Sequence, residues 1–317
     1  MNKETSDKLS VISDYVRHQT PFWNKEIKNF AGVHVGQKIK AGNYLNYYAI
    51  VFHVLEKPDL NSLRDRDRIP KFCFIPQGRK TIKVPTDVME SKGLELKSNG
   101  IQPGEGTFPL NLSDRPGTIG FFLESLDQTE LYFCSNMHVL APDILAKRKT
   151  SYYKPIPRQT RADVTIFDTN GSAMAFLEKA LFDGIDIAVA RVKDRNIVEN
   201  FIPENGIPSG VVDVTPQNFR RLRIGHFGLR SKSMDRRIIG FEANIPTHIR
   251  NVFMNDLIVA DLPTDFGDSG SPVFDEFLNL VGIVMGSPRD NPSLTFIIPI
   301  RKIISFAGMN PLIKRTR

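Results

Sequence analysis

The 317-residue chain has only two cysteines, Cys73 and Cys134. That excludes a disulfide framework and sets the expectation of a reduced, cytoplasmic protein. No run approaches the roughly 20 apolar residues that span a bilayer, so no membrane partner is expected. The opening MNKETSDKLS is polar, with no apolar signal-peptide core behind its first lysine. CxxC pairs and HExxH are missing and the histidines are scattered, so no metal is expected. A phosphate-binding loop and a dinucleotide glycine fingerprint are missing too, and no cofactor is expected.

What the chain does have is an excess of positive charge, +7. The basic clusters are RRLR (220–223), LRSKSMDRR (229–237) and IKRTR (313–317). No aromatic ladder or nucleic-acid motif accompanies them, so they are expected to be solvated loops and strand edges. Nucleic acid stays a partner class without a motif, and its binding would weaken steeply with salt. With 41% hydrophobic and 24% charged residues, the composition is that of an ordinary globular protein, long enough for two or three domains.

Residues 5–18 place Leu9, Ile12, Tyr15 and Val16 at helical spacing. YYAIVFHVLEK (47–57) reads as a strand, NSLRDRDRIPK (61–71) as a solvated turn, and FCFI and TIKVPTDVME as short extended or strand–helix pieces. Residues 1–97 therefore suggest a helix plus a small α+β module. Glycine and proline dominate 98–120 without periodicity, which reads as a linker. Beyond it come short strands: GFFLES and ELYFCSN as a hairpin, then DIAVARV, RRIIGFEANI, DLIVADL, LNLVGIVMG and LTFIIPI. That spacing suits an all-β barrel or sandwich. FIPENGIPSGVVDVTP (201–216) divides the β region in two, and PIRKIISFAG (299–308) closes it with a short helix.

DFGDSGSPVF (265–274) sets Asp268 and Ser269 between Gly267 and Gly270, just before a strand. A bend of this kind turns backbone N–H groups toward one point, which suits an oxyanion hole. Every histidine precedes Ser269, which removes the α/β-hydrolase order. Of the six, His138 in LYFCSNMHVLA stands where a strand gives way to a helical turn. Asp186 interrupts an apolar run, where a carboxylate needs partners, whereas Asp183 precedes a glycine and reads as a turn residue.

SNMHVLA, DIAVA and GDSGSP, in that order, resemble the His, Asp and Ser motifs of chymotrypsin/trypsin-like serine peptidases, over roughly residues 105–308. RIGHFGLRSKSMDRRIIGF is similar to the opening of that family's second barrel. The resemblance implies two antiparallel six-stranded barrels, the first over 121–210 and the second over 211–317. It implies an acyl-enzyme endopeptidase acting on protein or peptide, with His138 as general base, Asp186 as its orienting carboxylate and Ser269 as nucleophile. The N–H groups of Gly267 and Ser269 would form the oxyanion hole. Pro263, Thr264 and Asp265 would line the substrate pocket, with Pro263 where trypsin has its selective aspartate, so small or medium apolar residues are expected there.

The family's small residues before His are replaced by Asn136-Met137. The N-terminal module resembles a leader found before trypsin-like domains in bacteria, a place for a regulatory protein partner. Asp268 is expected to find its donors within an uncut chain, because Arg115-Pro116 is a poor activation bond. The alternative is a catalytically silent trypsin-like scaffold that binds protein or nucleic-acid partners.

Overall fold

The computed structural model describes residues 3–27, 29–40, 43–55, 68–78, 80–90, 94–96, 101–102, 105–109, 117–153, 164–167, 173–203, 205–247, 249, 252–288 and 291–314. Helix α1, Lys3–Glu26, runs on past the expected end at His18. Its buried stripe explains the extension, since Leu9, Ile12 and Val16 are followed at the same spacing by Thr20 and Trp23. Trp23 stands edge-on to Phe52, with ring centroids 4.8 Å apart.

Four strands follow: β1 Phe30–Lys40, β2 Asn43–Val54, β3 Phe72–Gln77 and β4 Lys80–Glu90. β2 pairs antiparallel with β1 and parallel with β4, and β3 is the edge. TIKVPTDVME is strand throughout. The solvated turn expected over 61–71 lies outside the described residues up to position 67.

Short strands β5 Leu94–Leu96, β6 Ile101–Gln102, β7 Glu105–Pro109 and β8 Gly117–Thr118 come next. Part of the stretch expected as a linker over 98–120 is thus barrel wall; residues 98–100, 103–104 and 110–116 lie outside the described residues. Thr107 and Thr118 are fully buried there. Gly117 marks a close approach, because a Cβ at that position would lie 2.2 Å from Val139.

The first barrel continues with β9 Phe122–Glu124, β10 Leu131–Ser135, α2 Met137–Leu140, α3 Pro142–Ala146, β11 Ser151–Tyr153, β12 Thr165–Phe167, β13 Ala173–Phe182 and β14 Asp186–Val192. Its wall runs β9-β10-β14-β13-β12-β7, and the run 117–124 closes it, pairing with β7 at one end and β10 at the other. β9 and β10 form the expected hairpin.

The second barrel holds β15 Gly210–Val211, β16 Arg223–Phe227, β17 Lys232–Pro246, β18 Phe253–Asp261, β19 Pro272–Asp275, β20 Asn279–Pro288 and β21 Leu294–Pro299. Its order, β16-β19-β20-β21-β18-β17, closes through β16–β17 pairing. The expected C-terminal helix is α4, Ile300–Ala307, and β22, Asn310–Pro311, returns to pair with β9. The fold is therefore mainly β, two antiparallel six-stranded barrels of the chymotrypsin type preceded by a helix and strands. Among the described residues no helix is long and apolar enough to cross a membrane.

The barrel-two strands read as continuous apolar runs because both faces are buried. One set, including Ile224, Ile238, Ile258, Val273, Val281 and Ile297, packs in the same core as α1, β1 and β2. The alternate set, including Ile239, Leu257, Ile283, Met285 and Phe296, packs with the first barrel.

β1 also pairs with β17, so the N-terminal sheet β1-β2-β4-β3 continues the sheet of the second barrel. Neither β1 nor β13 has a counterpart in the sequence reading. At this seam His34 Nδ1 and His53 Nε2 lie 2.8 Å apart, and both rings are buried. The His34 ring fills the space left by Gly240, where a Cβ would approach its Cδ2 to 2.2 Å.

Burial lowers the pKa of His53 to about 4 and that of His34 well below its usual range, with the neighbouring ring adding to the latter. The unfolded chain takes up these protons near the ordinary value of about 6.5. Stability is therefore full above that pH and is lost as pH falls from there toward 4. Thermal unfolding between neutral pH and pH ~5 should show a falling midpoint, with a shallower fall in His53→Gln. Equal slopes for the two proteins would contradict the assignment.

Candidate active site

His138 is the second residue of α2, immediately after β10, and Asp186 is the first residue of β14. β10 and β14 are neighbours, with Ser135 opposite Ala188, so the strand pairing carries the carboxylate to the start of the helix. A helix start leaves N–H groups without partners, and Asp186 supplies the acceptor. Its Oδ1 accepts from Met137 N at 2.8 Å and His138 N at 3.2 Å, while Oδ2 accepts from His138 Nδ1. Asn136 Nδ2 donates to the Asp186 carbonyl at 2.9 Å. These donors offset the desolvation of a carboxylate with no solvent exposure. With Nδ1–H given to Asp186, the neutral His138 ring carries its lone pair on Nε2.

Ser269 lies in the turn before β19. Gly267, two residues before it, has φ +115° and Gly270, immediately after it, has φ +92°, values that favour glycine at both positions. At Gly270 a Cβ would also meet the Thr118 carbonyl at 2.1 Å. The turn is docked on the first barrel: Thr118 N donates to Ser269 O at 2.8 Å, and Thr118 Oγ1 donates to Gly267 O. Ser135 Oγ donates to Thr118 O at 2.6 Å, three residues before His138. One contact chain thus joins the serine turn to the histidine helix. Ser269 is buried, and its Oγ donates to the Met285 carbonyl at 3.1 Å. Among the described residues the Gly267 N–H has no acceptor.

Asp268 is also fully buried. Its Oδ1 accepts from Arg230 N at 3.1 Å and Ser231 N at 3.2 Å, and Oδ2 accepts from Asp265 N at 2.7 Å and Ser231 Oγ at 2.5 Å. All four donors come from two loops of the chain. The basic stretch 229–237 therefore does more than face solvent, because its backbone holds Asp268. Arg115 and Pro116 lie outside the described residues.

His226 is buried beside this cluster, with Nε2 3.0 Å from the Pro263 carbonyl. Burial lowers its pKa, and the Asp268 charge pulls the other way.

Of the residues expected in the pocket, Thr264 is buried with its Oγ1 2.9 Å from Thr295 Oγ1, which in turn donates to Leu262 O. Asp265 is exposed, and its Oδ1 accepts from Phe266 N at 2.6 Å. Thr118, Ser231 and Met285 were not singled out in the sequence. Thr118 sat in the apparent linker and Ser231 in a basic loop, and Met285 contributes only a carbonyl. Among the described residues no group of three His, Cys, Asp or Glu side chains could hold a metal ion.

No protein-family model and no curated protein matches the chain. Among solved structures it is similar to Thermobifida fusca protease A, at 14% identity and TM-score 0.48, covering 67% of this chain and 97% of that one. It is also similar to Nocardiopsis protease, at 12% identity and TM-score 0.47, covering 68% and 97% respectively. A third is Cellulomonas bogoriensis chymotrypsin, at 14% identity and TM-score 0.46, covering 67% and 97%.

Two substitutions test the Asp268 cluster. In Asp268→Asn one acceptor becomes a donor facing donors, which should cost on the order of 2–4 kcal/mol and lower the thermal midpoint by several degrees. Gly228→Ala should act similarly, because its Cβ would lie 2.3 Å from Asp268 Oδ1. A wild-type midpoint in both variants would show that the cluster is not needed for the fold.

Proposed function

We propose that the chain is a serine endopeptidase that cleaves protein or peptide bonds through an acyl-enzyme, with Ser269 as nucleophile, His138 as general base and Asp186 as its orienting carboxylate. The observation that carries this reading is the His138 Nδ1–Asp186 hydrogen bond, made by a ring whose neighbouring backbone is tied through Ser135 and Thr118 to the Ser269 turn. In the reaction the Ser269 hydroxyl leaves the Met285 carbonyl and gives its proton to His138 Nε2 as Oγ bonds to the substrate carbonyl carbon. Asp186 stabilises the imidazolium so formed. The Gly267 and Ser269 N–H groups receive the developing oxyanion. His138 then gives its proton to the leaving amine, and water repeats the sequence to release the acid.

Pro263, Thr264 and Asp265 are assigned to the pocket for the residue before the cleaved bond. The buried Thr264–Thr295 hydroxyl pair presents no charge there, and the Asp265 carboxylate is engaged with its own turn. Small or medium apolar residues fit such a pocket better than Lys or Arg. A regulatory protein partner acting through the N-terminal strands belongs to the same proposal, as does a cytoplasmic setting. The full burial of Ser269 favours a second reading, a silent scaffold that binds without turnover.

Turnover of fluorescein-labelled casein decides between the two. The peptidase reading expects hydrolysis that falls roughly a million-fold in Ser269→Ala. Equal rates in the two proteins would overturn it. A peptide-library profile should show small or medium apolar residues before the cut, and a dominant Arg or Lys preference would show that the pocket is lined differently.

A further inference from the structure

The strand β20 carries a sequence of partners along one edge. Phe274, Val273 and Pro272 of β19 lie opposite Leu280, Gly282 and Ile283. Beyond them, Ser271 and Gly270 exchange backbone hydrogen bonds with Val284, at 2.9 and 2.8 Å. Ser269 Oγ then meets the carbonyl of Met285. The next three positions, Gly286, Ser287 and Pro288, pair antiparallel with Leu96, Glu95 and Leu94 of β5. Gly286 pairs on its other side with Phe296 of β21, so β5 lies on the edge that β19 uses. Along this one edge the order is β19, the Ser269 turn, then β5.

The direction of β5 matters as much as its place. Residues 94, 95 and 96 step from Pro288 toward Gly286. The strand runs toward the nucleophile and stops one residue, about 3.4 Å of strand rise, short of the carbonyl that Ser269 touches. An extended peptide that offers its carbonyl to Ser269 and adds to this edge would have the same direction and need the same three β20 residues. Strand addition of this kind is a general mode of peptide recognition, in which main-chain hydrogen bonds supply affinity. An attached strand competes for the edge at an effective concentration on the order of millimolar.

We propose that residues 94–96 hold the place of the acyl half of a peptide substrate, so that the chain occludes its own site until this strand leaves β20. The proposal rests on the reading of Ser269 as nucleophile. It makes the stretch that follows the N-terminal sheet an internal competitor for substrate. A partner or modification that draws this stretch away from β20 would raise activity, and its chemistry would be that of an extended peptide or a strand edge accepting one.

The test uses the full chain carrying Ser269→Ala, which cannot turn over its ligand, with and without Glu95→Pro plus Leu96→Pro. Proline at two of the three positions removes the donors that the pairing needs. The probe is a fluorescein-labelled synthetic peptide with the sequence of residues 90–97. Its anisotropy should report binding to the proline variant at least about tenfold tighter than to the chain with its own strand intact. A second variant with residues 94–96 replaced by glycines guards against a local effect of proline, and circular dichroism confirms the fold of each.

Equal affinity in all the chains, or none in the variants, overturns the proposal. So does rapid amide exchange of residues 95 and 96 in the unsubstituted chain. Casein hydrolysis by the Ser269 parents separates this inference from the one beneath it. Strand competition without any hydrolysis in the proline variant would leave the occluded edge standing and remove the peptidase reading. Hydrolysis equally fast with and without the proline substitutions would do the reverse.

Discussion

The arrangement around His138 depends on a carboxylate that has lost all contact with water. Asp186 is fully buried at the start of β14, and a charge in that position is tolerated only when donors surround it. The donors are the first N–H groups of α2 and the imidazole of His138. The same contact therefore caps a helix, neutralises a buried charge and fixes the ring. Removing the carboxylate would leave two helix N–H groups unsatisfied as well as releasing the imidazole, so local stability and ring orientation are coupled.

The second barrel repeats the principle with no histidine among the donors to its carboxylate. Asp268 is held by Arg230, Ser231 and Asp265, all within the chain, and Gly228 keeps the space that the carboxylate fills. This loop packing shapes the turn on which Ser269 stands. Thr118 then ties that turn to the first barrel. The N-terminal residues share this framework: β1 extends the sheet of β17 and β5 adds to β20, so their strands and the second barrel form one sheet.

Much of this was legible from local pattern. GDSGSP announced a glycine-framed bend, and Asp186 stood out because a carboxylate inside Ile-Asp-Ile-Ala-Val needs a reason to be there. The strands of the second barrel were readable because burial on both faces leaves unbroken apolar runs. β13 escaped because Ala173–Phe182 is rich in Ala, Leu, Glu and Lys, residues whose helical preference is overridden by pairing with β14 and β12. β1 escaped because Gly32 and Gly36 interrupt its alternation, and the need for glycine at position 36 lies in the close approach of the Ile239 carbonyl and the His34 ring. The stretch 105–109 looked like a linker because its surroundings are rich in glycine and proline, and because the partners of its last two residues, Ile166 and Phe167, lie far along the chain. Three of Asp268's four donors were hidden by the same distance: Arg230 N, Ser231 N and Ser231 Oγ belong to a loop far from it in the chain.

The central claim is that the Asp186–His138 pair activates Ser269. It is tested most directly by treating the full-length chain with a small alkyl fluorophosphonate, which needs the nucleophile but no peptide-binding edge, and locating the adduct by mass spectrometry. The account predicts a single phosphonyl group on Ser269, with labelling slowed sharply in Asp186→Asn and absent in His138→Ala. An unlabelled chain, or labelling of Ser269 at the same rate in all three proteins, would contradict it.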